Sequence, residues 1–191
     1  FDDNFNKHFL NSNHYSDISL SDLNFLYRNY PIKINITKCI AKIHNDSISI
    51  NNSVINIKDS DIRYQGTVKN LFKYILSNNS SNIELDGVLN SKTINLKTLI
   101  SSDEKENENT SEFKMPDFLI LKLNSSIETL AYNNVYPNNI KGNIYFKDNS
   151  LSSKDLELNI FDGKMFFDGK FYKNDKANFK LTSNIKLEKI D

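Results

Sequence analysis

The sequence is poor in the residues that build catalytic and metal-binding sites. Its 191 residues include one cysteine, Cys39, and three histidines. A lone cysteine excludes an internal disulfide and a cysteine-rich metal site, and the apolar neighbours of Cys39 indicate a buried, unreactive thiol. His8, His14 and His44 do not have the spacing of metal ligands. The short motifs of phosphate-binding loops, serine hydrolases, zinc peptidases and thiol oxidoreductases are also missing, so we predict a protein that is not an enzyme and holds no metal or cofactor.

An excess of charge of one sign is missing as well. The chain carries 24 basic and 24 acidic residues, and no basic block is longer than two residues. Nucleic-acid binding needs a clustered positive surface, so we expect no nucleic-acid partner. The sequence contains neither a run of about 18 apolar residues nor a signal-peptide pattern. Because it starts at Phe1 instead of Met, we interpret it as a piece of a longer protein, with any membrane anchor or targeting signal outside it.

The sequence does contain many apolar residues that alternate with polar ones. Isoleucines alternate with polar residues from Ile32 to Thr37, and similar short runs, broken by Asn, Asp and Ser, continue along the chain. A period of two is typical of half-buried strands, so we predict a mainly β fold. Leucines at helical spacing predict a short helix over Ser19 to Arg28, and apolar residues in 69–76 and at the end of 94–100 predict helical turns.

Two polar segments divide the chain. Residues 1–16 predict a poorly ordered lead-in, and residues 101–112, "SSDEKENENTSE", predict a solvated acidic linker. A metal site in the linker is disfavoured, because the spacing of its acids is not that of an EF-hand. The linker separates two stretches that match each other, which we call copy one (about 30–100) and copy two (about 132–190).

The two copies match without a gap at an offset of 103 residues. Cys39–Val68 falls on Gly142–Phe171, with Gly66 on Gly169 and apolar residues coinciding at alternate positions. We interpret the match as a duplicated β-meander and not as chance in a biased composition. It also separates the two Asp-Gly pairs in "FDGKMFFDGK". Gly163 belongs to a hairpin turn, whereas Gly66 and Gly169 lie inside strands, where glycine marks a bulge, a bend or a close approach.

Alternation within the strands predicts a sheet with one apolar and one polar face. Few helical segments are available to cover the apolar face, so either a second sheet packs on it or it stays open as a curved groove. A groove could hold acyl chains, since exposing about sixteen carbons to water costs on the order of 10 kcal/mol at about 0.8 kcal/mol per methylene. The residues that would line the groove, or else form an ordinary core, are Ile43, Ile55, Ile57, Ile62, Tyr64, Val68, Phe146, Leu156, Leu158, Ile160, Met165, Phe167 and Phe171.

The second copy resembles the C-terminal region of AsmA-like proteins. The shared pattern is a strand starting at glycine ("GNIYF"), an alternating Leu-x-Leu-x-Ile strand ending in Asp-Gly, a second glycine six residues on, and a closing Leu-x-x-Ile-Asp. The first copy resembles the preceding part of such regions through "SDIRYQGTVKNLFKYI" and "LNSKTINLKTLI", so the resemblance covers about residues 17–191. The composition is similar to the version found in AT-rich Bacteroidota-like bacteria.

This resemblance implies a large protein anchored in the inner membrane. Its periplasmic part would be a long β-groove, similar to TamB and to bridge-like lipid transfer proteins. The implied role is movement of phospholipid or another membrane lipid between the inner and outer membranes, and thereby outer-membrane biogenesis. The family supplies no catalytic residues to expect here.

Two other functions stay open at this point. One is a non-catalytic β-sandwich for adhesion or assembly, in which the same apolar residues form a closed core. The other is a sugar-processing β-fold enzyme, which is disfavoured because neighbouring acids such as Asp59 and Asp61 fit turns better than a catalytic pair. Lipid that co-purifies with the chain would favour the groove.

Overall fold

The computed structural model describes residues 3–27, 30–77, 81–100, 118–173 and 179–189. Ten strands and three short helices follow one another along these ranges. Their bounds are α1 Asp3–Asn11, β1 Tyr15–Tyr27, β2 Tyr30–His44, β3 Ser47–Ile57, β4 Ser60–Lys69, α2 Leu71–Leu76, β5 Ile83–Asn95, α3 Leu96–Ile100, β6 Leu119–Ala131, β7 Asn138–Lys147, β8 Ser150–Ile160, β9 Gly163–Lys173 and β10 Phe179–Glu188.

All ten strands belong to one sheet, and their order in the sheet is their order in the chain. Neighbouring strands are antiparallel except β5 and β6, which are parallel. The sheet is open, with β1 and β10 at its edges. The predicted fold class, a mainly β, duplicated antiparallel meander in an open sheet with a few short helices, is therefore confirmed. The described strands do not form the second packed sheet that a sandwich requires.

Strand pairing repeats with the same offset of 103 residues that relates the copies in sequence. Pairing of β2, β3 and β4 corresponds to pairing of β7, β8 and β9. Equivalent pairs are Asn35–Asn56 and Asn138–Asn159, Ile43–Ile48 and Phe146–Leu151, and Ile50–Gly66 and Ser153–Gly169. The equivalence extends to β1 with β6 and to β5 with β10. The sheet thus consists of two five-stranded units, unit one (β1–β5) and unit two (β6–β10).

Each unit has a β-bulge beside its in-strand glycine. In unit one the register of β3 against β4 shifts between Ile50 and Ser53, next to Gly66. In unit two the register of β8 against β9 shifts at the equivalent position, next to Gly169. A bulge bends and twists the strand that carries it. Both units are therefore bent at the same place, and the bulge lies in the strand that faces the glycine.

Several local predictions are settled by these elements. The helices α2 and α3 confirm the helical turns predicted for 69–76 and for the end of 94–100. The hairpin predicted at Asp162-Gly163 is present, but its two turn residues are Phe161 and Asp162, and Gly163 begins β9. Part of the lead-in that we expected to be poorly ordered forms α1, and Phe9 of this helix contacts Phe72 of α2 edge to face at 5.7 Å. The predicted acidic linker, 101–112, lies outside the described residues.

The helix predicted for Ser19 to Arg28 is wrong, because β1 covers nearly all of this segment. Leu20 and Leu23 are three residues apart, which fits a helix, but both pair with residues of β2. Asp22, between them, has a positive φ of 54°, a conformation that aspartate tolerates better than most residues do. A kink at Asp22 therefore lets a strand present leucines at helical spacing.

Candidate functional site: the apolar face of the sheet

One face of the sheet collects the apolar side chains of both units, and we call it the apolar face. Side chains alternate along a strand, and residues paired across strands lie on the same side. By the pairing registers, all thirteen residues predicted from sequence lie on this face: Ile43, Ile55, Ile57, Ile62, Tyr64, Val68, Phe146, Leu156, Leu158, Ile160, Met165, Phe167 and Phe171. Tyr64, Val68, Phe146 and Leu158 are buried, and the other nine are half-buried.

Further apolar-face residues in the middle of the sheet were not predicted. They include the buried Ile83 of β5, Leu123 and Ile127 of β6, and Ile140 of β7. The prediction rests on the two stretches that match each other, 39–68 and 142–171, and these residues lie outside both. The alternation in "LILKLNSSI", the first part of β6, is the signal that could have found two of them.

Short helices cover the middle of the apolar face. The helix α2 packs on a cluster that contains Tyr64 and Leu123. The helix α3 packs on a second cluster, which contains Ile127 and Leu158. Since α2 precedes β5 and α3 follows it, the two helices lie at opposite ends of the central strands. The middle of the face is therefore an ordinary dry core.

The flank of the apolar face at β10 is open. Leu181, Ile185 and Leu187 face the same side as their partners in β9 and are 61%, 54% and 57% exposed. Phe146, near the middle of the sheet, is 1% exposed. The apolar face thus passes from a dry core at its centre to a solvent-facing surface at β10.

In each unit an aromatic ring lies over the glycine two residues further along the strand. A Cβ added at Gly66 would lie 2.7 Å from Tyr64 Oη, and one added at Gly169 would lie 2.7 Å from Phe167 Cε1. The missing side chain makes room for the ring, an arrangement used to cover glycines in sheets. The predicted in-strand glycines therefore shape the lining of the apolar face.

The Tyr64 hydroxyl is held by the backbone. Its Oη lies 3.0 Å from the carbonyl oxygen of Thr67 and 3.1 Å from that of Asp86. Burial, with a smaller effect of the Asp86 charge, raises the pKa of Tyr64 to about 12. The hydroxyl stays protonated and donates, as a buried polar group requires. The equivalent residue of unit two, Phe167, has no hydroxyl.

Two of the buried serines on the apolar face, Ser53 and Ser125, donate hydrogen bonds to the main chain. Ser53 Oγ donates to the Tyr64 carbonyl oxygen at 2.9 Å. Ser125 Oγ donates to the Gly142 carbonyl oxygen, also at 2.9 Å. A serine nucleophile needs a hydroxyl activated by a neighbouring base. These two hydroxyls instead link adjacent strands.

The opposite face is polar, and its side-chain pairs repeat between the units. Asn56 Nδ2 donates to Asn35 Oδ1 at 3.4 Å, and the equivalent Asn159 Nδ2 donates to Asn138 Oδ1 at 3.2 Å. Lys164 Nζ forms an exposed ion pair with Glu157 Oε1 on the same side. This face therefore has the character of a surface that stays in water.

Two cavities in unit two do not follow the apolar face. One of 750 Å³ lies at the β8–β9 turn, where Asn138, Asn159 and Lys164 contribute to its lining. Another of 580 Å³ lies beside Asp168 and Lys170. Amide, carboxylate and ammonium groups do not suit a hydrocarbon chain. The candidate site is therefore the open apolar face and not either of these cavities.

Asp59 and Asp61, the acids considered as a catalytic pair, lie in a turn and in a contact between two strands. Asp59 lies in the β3–β4 turn, and Asp61 Oδ1 accepts hydrogen bonds from the backbone N–H groups of Lys92 and Thr93 at 2.9 and 2.8 Å. Asp61 thereby continues the contact of β4 with β5. Within the described ranges, no three His, Cys, Asp or Glu residues come together in a way that could hold a metal ion.

Comparisons with other proteins give no match: no family model matches the chain, and no curated protein or solved structure does so either. Among the described residues, no helix has the length and apolar character needed to cross a membrane. The resemblance to AsmA-like proteins stays a prediction from the sequence, and function has to be argued from the sheet.

Proposed function

We propose that the apolar face binds lipid acyl chains and that this chain is a segment of a lipid-transfer protein. The observation that carries the proposal is one open ten-stranded sheet whose apolar face is exposed at β10. The partner is phospholipid or another membrane lipid. Together with the sequence resemblance, this suggests the periplasmic part of an inner-membrane-anchored protein that moves lipid toward the outer membrane, with the anchor supplied by the rest of the parent protein.

A bound lipid would cover the exposed apolar side chains of β10. Leu181, Ile185 and Leu187 are each more than half exposed, and soluble proteins rarely leave contiguous apolar patches without a use for them. Each methylene that leaves water on binding contributes about 0.8 kcal/mol. A chain of about sixteen carbons would gain on the order of 10 kcal/mol, which offsets the freedom that the lipid loses.

The dimensions of unit two suit one acyl chain. The strands β9 and β10 have 11 and 10 residues, and at about 3.3 Å per residue each extends over about 33 Å. The hydrocarbon core of a bilayer is about 30 Å thick, which allows about 15 Å for the chains of each leaflet. A tail lying along β9 and β10 therefore remains on the uncovered part of the apolar face, while the open flank leaves the head group in water.

A non-catalytic structural or adhesion module is the second candidate. The observation that favours it is the dry middle of the sheet, where Phe146 and Leu158 are buried as in any core. In this case the flank at β10 would be covered by protein and not by lipid. The two candidates therefore differ in what occupies the half-buried and exposed residues of β9 and β10.

Native mass spectrometry of the chain purified without detergent tests the proposal. We expect adducts with the mass of phospholipid. Met165→Lys places a charge on the apolar face and should remove them, because a charge in the lining is costly to desolvate. Phe166→Lys is the matched control: Phe166 is the next residue of β9, is also half-buried and lies on the opposite face. It should keep the adducts.

Circular dichroism shows whether both variants retain the sheet. A folded wild-type chain that remains lipid-free after incubation with phospholipid vesicles would favour the structural module. Equal loss of lipid in both folded variants would also contradict the proposal, since it would show that the lipid does not distinguish the two faces.

A further inference from the structure

The junction between the two units is a parallel strand pair. The last strand of unit one, β5, pairs with the first strand of unit two, β6, from Ile83–Leu119 to Asn95–Ala131. All other neighbouring pairs of the sheet are antiparallel and lie within a unit. The junction therefore shows how the last strand of one unit fits the first strand of another.

The two edge strands are equivalent to the two junction strands. Leu181 of β10 holds the position that Leu85 holds in β5. Ile18 of β1 holds the position that Leu123 holds in β6. Within the described part of the chain, β10 and β1 each pair with one strand only. The protein thus presents a last-strand edge on one side and a first-strand edge on the other.

We propose that β10 of one molecule pairs in parallel with β1 of a second copy of this chain, which repeats the β5–β6 junction between molecules. Transfer of the β5–β6 register places Ser183 opposite Ile18 and Ile185 opposite Leu20. Because the contact joins two different edges, it is head-to-tail and can extend beyond two copies. The apolar face continues from one molecule into the next.

The side chains of the two edges favour this contact. Long edges with exposed apolar side chains pair readily with other strands, and Leu181 and Ile185 of β10 are more than half exposed. Their equivalents at the β5–β6 junction, Leu85 and Leu89, are half-buried. Pairing with a second copy would give the β10 residues the same cover.

The charges on the polar side of the two edges do not oppose pairing. There β10 presents Lys180, Lys186 and Glu188, the last two joined in an ion pair, and β1 presents Asp17. Opposite charges on neighbouring strands are favourable, whereas like charges directly opposite are not. The transferred register places Asp17 opposite Thr182 and next to Lys180, so one pair of opposite charges lies close together across the contact.

Sedimentation equilibrium of the delipidated chain, between about 1 μM and about 100 μM, measures the association. We expect the average mass of the wild type to rise to at least twice that of the monomer. Leu181→Lys/Ile185→Lys blocks the β10 edge, and Ser16→Lys/Leu20→Lys blocks the β1 edge. Each variant alone should remain monomeric, and an equal mixture should form dimers only, because one intact β10 edge and one intact β1 edge remain.

Control variants make the result specific. Thr182→Lys/Asn184→Lys adds the same charge to the other face of β10 and should associate as the wild type does. If Ser16→Lys/Leu20→Lys fails to fold, the exposed single variant Ser16→Lys replaces it.

A monomeric wild type at all concentrations overturns the proposal. So does dimerisation of either edge variant alone, which would indicate like-edge pairing. Using delipidated protein keeps this outcome separate from that of the lipid test.

Discussion

The two units of the sheet share their strand pairing but differ in what covers them. In unit one α2 lies between β4 and β5, and α3 follows β5; both helices pack on the middle of the apolar face. Along the described ranges of unit two, 118–173 and 179–189, no helix occurs. Its last strand, β10, exposes both faces, whereas the equivalent β5 is covered by β6. The shared bulges and registers set the fold, and the neighbours of each strand set whether its apolar side chains form a core or a surface.

The two in-strand glycines show the same difference at the scale of single atoms. Gly66 faces the main chain of β5, where its nearest neighbours include the Asp86 carbonyl oxygen and the Gly87 Cα. Gly169 faces only the ring of Phe167 among its nearest contacts. Backbone in a sheet cannot shift without loss of ladder hydrogen bonds, whereas a ring can rotate. Unit one is therefore the more tightly constrained of the two.

Replacing these glycines with alanine should give the largest difference between the two units, measured as the loss in free energy of unfolding. In Gly66→Ala the new Cβ would meet the Asp86 carbonyl oxygen and lie 2.7 Å from the Gly87 Cα, so we expect the free energy of unfolding to fall by about 3 kcal/mol. Gly169→Ala displaces only the Phe167 ring, and we expect a loss of about 1 kcal/mol. Equilibrium unfolding in urea measures both values. Equal losses would show that the two glycines are constrained alike.

A smaller effect is expected from removing the hydroxyl that distinguishes Tyr64 from Phe167. Tyr64→Phe loses the hydrogen bond to the backbone of Thr67 or Asp86, which should cost about 1 kcal/mol near neutral pH. The pKa of Tyr64 in the folded protein, about 12, lies above its ordinary value of 10.0. Stability from the protonated hydroxyl is thus complete below pH 10.0 and is lost as pH rises toward about 12.

The pH dependence of the urea midpoint measures this contribution. Over that alkaline window the wild type should lose stability faster than Tyr64→Phe, because only the wild type has the hydroxyl to ionise. Tyr145→Phe, at a ring that is 40% exposed on the polar face, is the control and should follow the wild type. A wild type and Tyr64→Phe with parallel profiles would contradict the burial of this hydroxyl.

Local sequence patterns predicted β2–β4 and β7–β9. Alternation shows which face of a strand each residue lies on, and the 103-residue offset preserves that assignment between the two copies. They failed at β1, where the positive φ of Asp22 gives leucines a helical spacing. This failure also hid the equivalence of β1 with β6, and with it the five-stranded unit.

For the candidate site, the sequence predicted the face on which each residue lies but not how exposed each residue is. Phe146 and Phe171 each lie between a tyrosine and a lysine in the chain, yet Phe146 is buried and Phe171 is half-buried. Exposure depends on the distance of a strand from the sheet edge and on the packing of α2 and α3, which are tertiary properties. Leu181 and Ile185 were not among the predicted lining residues because they lie outside the two matching stretches, 39–68 and 142–171, although they belong to the most open part of the face.

Photo-crosslinking with a phospholipid that carries a diazirine in its acyl chain tests the lipid-binding face most directly. After illumination, peptide mass spectrometry locates the adducts along β9 and β10. We expect adducts at alternate residues of β9, namely Met165, Phe167 and Phe171, and at Ile185 of β10, with Phe166 unlabelled. Adducts spread equally over both faces of β9, or confined to its polar face, would contradict an acyl-chain site on the apolar face.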